Sequence, residues 1–163
     1  MQKKSFSLCF RCAGSVHEPL ERDAVMLRQL IFGSAVSLSN IAVHAVAMLV
    51  VIRTARGAAA NWLSFPALRL AAVMIATVAV LMVAHLCEIS IWSRAYAIVG
   101  ATPEGADRLY FAFVNFTTLG YGDIVPVPRW RLLGPMTAMN GVLLFGWSTA
   151  VIFEVLSVTL QRK

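Results

Sequence analysis

Three stretches of the chain are apolar almost without interruption, at about residues 30–52, 66–91 and 132–160. Each is long enough for a helix to cross a ~30 Å hydrocarbon core, which takes ~20 residues. The third, at roughly 29 residues and 1.5 Å each, makes a helix ~43 Å long and should cross tilted. A fourth apolar segment, residues 106–116, is too short to span. It runs directly into the glycine-containing sequence Thr117-Thr118-Leu119-Gly120-Tyr121-Gly122-Asp123. Irregular backbone at membrane depth is tolerated only where it is buried in protein or lines water. The pattern therefore predicts an all-α membrane protein with three transmembrane helices and a short re-entrant helix between the second and third.

Composition agrees with that architecture: 59% of the 163 residues are hydrophobic, 13% are charged, and the mean hydropathy is +0.74. A soluble fold could not hide so much apolar surface. Lysine and arginine favour the cytoplasmic side in short loops. The loop between the first two spans carries Arg53 and Arg56, with Arg69 just beyond and no acid, and Arg162 and Lys163 close the chain. This puts the C-terminus in the cytoplasm and, with three spans, the N-terminus outside. Lys3, Lys4, Arg11, Arg22 and Arg28 make residues 1–28 too basic for a comfortable outer tail. They suggest a start at Met26 or nearby, with the segment before it untranslated or disordered. Cys9 and Cys12 form a CxxC without a second pair, a weak zinc signal, and Cys87 reads as packing. There is no nucleotide loop, no catalytic triad and no arginine repeated at every third position, so ATP coupling, catalysis and a voltage-sensor helix are unsupported. No catalytic residue, cofactor or nucleic-acid partner is expected.

Gly120 and Gly122 can enter positive-φ conformations at little steric cost. An extended run of that kind, supplied by several chains around one axis, can replace the hydration shell of potassium with backbone carbonyls. TLGYG resembles the potassium filter sequence TVGYG, with leucine for valine at 119. From residue 66 onward the chain resembles the pore domain of a bacterial two-helix potassium channel, with one added N-terminal helix. The boundaries read as a tail at 1–28, the extra helix at 29–53, and a pore domain at 66–163. Within that domain lie an outer helix at 66–95, a pore helix at 103–117, the filter at 118–123 and an inner helix at 131–161.

The resemblance implies a homotetramer in the cell membrane, a bacterial inner membrane, with the filter facing outward and potassium conducted passively. It makes Thr118, Leu119, Gly120, Tyr121 and Gly122 the potassium ligands, potassium being the only metal, with the Leu119 side chain packed behind and Tyr121 packed on the pore helix. Thr117, Asp123 and Tyr110 would support the filter, the Tyr110 hydroxyl bonding Asp123. Val114 stands where some relatives have a glutamate that pairs with that aspartate. Pro103 is expected in the first turn of the pore helix, with Glu104 and Asp107 near its positive end. Gly141, Phe145 and Thr149 recur every four residues as a gating or cavity-lining face. Gly146 reads as packing, and Glu154 as an acid at the inner mouth. His85 and Glu88 share a helical face near the outer end, as a pair that braces the pore helix, senses protons or binds metal, and His44 reads as hydrogen-bonded packing. The chain stops at Lys163, so gating is expected in the filter, at the inner helices or through an unidentified regulatory partner. The alternatives are a weakly selective cation channel and a non-conducting regulatory or structural subunit; a proton-linked transporter lacks the usual inverted repeats.

Overall fold

The computed structural model describes residues 5–58 and 65–161. Four helices carry the fold: α1 (Ser5–Ala58), α2 (Pro66–Val99), α3 (Arg108–Phe116) and α4 (Leu133–Gln161). Three stretches have membrane-spanning length and apolarity, Glu21–Thr54, Ala67–Val99 and Pro128–Gln161. The short α3 lies between the second and third, and the chain is an all-helical membrane protein of three spans.

The helix ends follow local chemistry. Pro66 starts α2, where its missing N–H costs nothing, and left-handed Gly100 (φ 60°) stops it at Val99, past the expected 95. The pore helix begins at Arg108 and not at 103. Gly105 is left-handed (φ 78°), so Pro103 sits in a separate turn whose carbonyl accepts the Ala106 N–H. Asp107 then caps α3, its carboxylate accepting the N–H of Leu109 (2.9 Å) and Tyr110 (3.1 Å). Asp107→Ala should cost about 1 kcal/mol of stability, checked by thermal unfolding in detergent. The first helix runs from Ser5, ahead of the expected 29. Cys9 and Cys12 fall outside the residues whose side chains are described, and Cys87 is a free, exposed thiol.

α3 packs against α2 and α4, while α1 lies along α2 and α4. In lipid, helices associate through close packing and hydrogen bonds, so small residues sit at the tightest crossings. Gly33 is one: a Cβ there would stand 2.5 Å from the Met136 sulfur. Around α3, Trp92, Tyr96, Phe111, Phe116, Leu133 and Leu144 form one buried cluster. At the opposite end, Met48, Val51, Val73, Leu81, Val151 and Val155 form a second. A layer of buried polar side chains runs across all three spans: Asn40 and His44, then Glu88, then Asn140 and Ser148.

Candidate functional site

Immediately after α3, every second residue turns left-handed: Thr118 (φ 60°), Gly120 (φ 59°) and Gly122 (φ 79°). Among the described residues Thr118 alone has positive φ without being glycine, a strained choice for a β-branched side chain. In a strand, successive carbonyls point to opposite sides; a chain whose alternate residues are left-handed brings them toward one side. The start of this segment is tied to α3. The Val114 carbonyl accepts the N–H of Leu119 (2.9 Å) and of Gly120 (3.3 Å), and Asn115 accepts that of Thr118 (3.0 Å). Thr117 donates its N–H (3.0 Å) and its hydroxyl (2.8 Å) to the Phe113 carbonyl.

At the outer end, Tyr110 donates its hydroxyl to Asp123, which also accepts the Ile124 N–H at 3.0 Å. That bond to a carboxylate holds the Tyr110 hydroxyl above its ordinary titration range. The contribution is complete below the usual phenol range and is lost as pH rises through the elevated value. Leu119 and Tyr121 are 55% and 68% exposed, and neither packs behind this segment within its own chain. Val114 is buried at the back of the segment.

α4 meets the end of α3 at Gly141. A Cβ at 141 would overlap the Phe116 carbonyl oxygen and lie 2.9 Å from its carbon. Gly141 is therefore buried against the pore helix rather than on an open cavity face, and its packing role has a definite partner. Gly146, expected to pack, has nothing within 4 Å of a Cβ in the same chain. Phe145 packs edge-on against Phe116 (5.5 Å between centroids) and against His85 (4.8 Å). Thr149 is exposed and returns its hydroxyl to the Phe145 carbonyl, and Glu154 is exposed two turns before the end of α4.

Behind α3 lies the polar layer. Glu88 is buried at the meeting of three helices rather than near an outer end. One carboxylate oxygen is 2.8 Å from Nδ1 of His44 on α1, and the other is 2.8 Å from Nδ1 of His85. The Ser148 hydroxyl on α4 lies 3.0 Å from His85 Nε2 and 3.4 Å from His44 Nε2. The four groups close a ring. One layer along, Asn140 Oδ1 accepts from Trp92 Nε1 and Asn40 Nδ2, each at 3.0 Å, and Asn40 Nδ2 also reaches the Glu88 carbonyl at 3.3 Å. Tyr96 donates to Thr137, whose hydroxyl donates to the Leu133 carbonyl.

His44, His85 and Glu88 bring their donor atoms within 4.8 Å of one another. Ligands held at ~2.0–2.1 Å around a tetrahedral ion stand ~3.4 Å apart. The two 2.8 Å nitrogen–oxygen distances are shorter than that and fit direct hydrogen bonds. His44 thus completes the pair found in the sequence. Asn40, Asn140 and Ser148 were not anticipated, although a polar residue at the middle of an apolar span is itself a signal.

No curated protein and no solved structure matches the chain. The sequence profile described as ion channel matches residues 73–158, which are 86 of the 163 positions and take in most of the second and third spans with all of α3 and the left-handed segment. A match over more than half of the chain, on the elements that build this site, means that the protein belongs to the ion channel family.

Proposed function

We propose that four copies of this chain surround one axis and conduct potassium selectively and passively across a cell membrane. The observation that carries the reading is the alternation of left-handed residues at 118, 120 and 122 directly after a short helix. It supplies a row of carbonyls from one chain, and a ring of such rows can take the place of an ion's water. The partial negative charge at the C-terminal end of α3 favours a cation beside it. Fourfold closure also accounts for the exposed Leu119, Tyr121 and Val125, which would pack against neighbouring copies. In this reading the filter faces outward, Thr118 to Gly122 hold the ion, and Tyr110 with Asp123 steadies the outer rim. Thr149 and Glu154 lie along the inner path below it.

Purified protein in liposomes should pass potassium, be blocked by barium, and give a reversal potential in mixed salts that follows the potassium gradient. A reversal potential indifferent to exchanging potassium for sodium would replace this reading with a weakly selective cation pore, and absence of any flux would reject conduction. Cross-linking in the same membranes should end at four chains.

A further inference from the structure

The ring formed by Glu88, His44, Ser148 and His85 has four contacts, and each needs one proton. An ionised carboxylate supplies none, each neutral imidazole supplies one and the hydroxyl supplies one. Three protons therefore serve four contacts. With both Nδ1–H groups donating to Glu88, Ser148 can donate to only one of the two Nε2 atoms, leaving a lone pair facing a lone pair. The unequal 3.0 and 3.4 Å distances accord with that shortage. The three-proton ring also carries a net charge of −1 in a site where His44 and Glu88 are fully buried. A buried unpaired charge is costly. One further proton, on an imidazole or on the carboxyl, fills the fourth contact and brings the net charge to zero.

We propose that this ring is a binding site for a single proton, and that its occupancy governs conduction by fixing the inner helix and the end of the pore helix. The ionisable groups facing it are His44 from α1 and His85 and Glu88 from α2. Among the described residues α4 presents Ser148, Asn140 and the rings of Phe145 and Trp147, none of them charged, and α3 presents the Phe116 ring. No arginine, lysine or second acid is among these contacts, so nothing else neutralises Glu88. The link to the pore is direct. The His85 ring packs on Phe116 (6.0 Å) and Phe145 (4.8 Å), and Phe116 ends the helix whose carbonyls hold the filter amides. Loss of the fourth proton releases Ser148 from one imidazole and loosens α4 under that support, so flux falls as pH rises.

The conduction part rests on the channel reading, while the proton site does not, and the test separates them. Glu88→Gln is close in shape, and its amide brings the missing proton: four contacts are then filled in a neutral ring at every pH. In full-length protein in liposomes, wild-type potassium flux should drop about tenfold between pH 5 and 9, a coupling of ordinary size. Glu88→Gln should hold the low-pH value throughout, and Ser148→Ala, which removes both contacts that tie α4 to the ring, should hold the high-pH value throughout. Nitrogen NMR of the histidines together with the infrared carboxyl band should detect the extra proton at low pH, as an imidazolium or as a protonated Glu88, without any ion flow. Two neutral imidazoles and an ionised carboxylate from pH 5 to 9 would overturn the site. Wild-type pH dependence in Glu88→Gln would overturn its control of conduction. An extra proton seen in protein that passes no potassium would uphold the site and reject the channel reading alone.

Discussion

Gly141→Ala is expected to lose conduction and most of the thermal stability of the pore. The added methyl would overlap the Phe116 carbonyl oxygen, with the carbonyl carbon 2.9 Å away and Phe116 Cδ1 at 3.3 Å. Two of those atoms are backbone at the last turn of α3, so no side-chain rotation relieves the overlap. The pore helix or α4 must move, and overpacking of this kind costs about 1–3 kcal/mol or more in each chain. Moving α3 also displaces the Val114 carbonyl that holds Leu119 and Gly120. Gly146→Ala is the matched control. With nothing within 4 Å in its own chain, it should gain up to ~1 kcal/mol of helix propensity and keep the fold. Thermal unfolding in detergent and liposome flux measure both. Unchanged stability and flux in Gly141→Ala would mean that α3 and α4 do not approach as described.

Gly120→Ala should produce the opposite pairing of effects, a nearly intact fold with selectivity abolished. The nearest atom to a Cβ at 120 is the Thr118 carbonyl oxygen at 3.9 Å, so crowding is absent. What the alanine resists is the φ of 59°, at about 1–2 kcal/mol per residue. Thr118, two residues earlier, is already left-handed, so the segment has little tolerance left. Relaxing residue 120 to negative φ would turn one carbonyl in each chain away from its neighbours. The reversal potential should then stop following potassium while the unfolding temperature stays within a few degrees. Retained potassium over sodium selectivity would contradict the role given to these carbonyls.

The spans were legible because apolar runs of more than 20 residues admit few other structures in this composition. The extent of α3 was not, since its start depends on Gly105 turning left-handed and Asp107 capping, and Pro103 alone favours an earlier start. The depth of Glu88 was misjudged for a related reason. The second span reads as ending near 91, but Ser93, Arg94 and Tyr96 continue the helix to Val99. Glu88 then lies five residues, ~7.5 Å along the axis, from the middle of residues 67–99. Its partner His44 is 44 positions away on another helix, beyond the reach of any periodicity.

The chain order of the buried ring bears on how this protein is made. If α2 entered the bilayer alone, it would carry Glu88 into hydrocarbon, where an acid near the centre costs roughly 2.5–3.5 kcal/mol. His85, one turn back on the same helix, can relieve part of that. The residue that completes the carboxylate's hydrogen bonding, His44, belongs to α1 and has been synthesised before α2 leaves the ribosome. The first two helices can thus enter the membrane as a hairpin whose polar groups already satisfy each other. Ser148 and Asn140 arrive last, on α4, and close around a pair that is waiting for them.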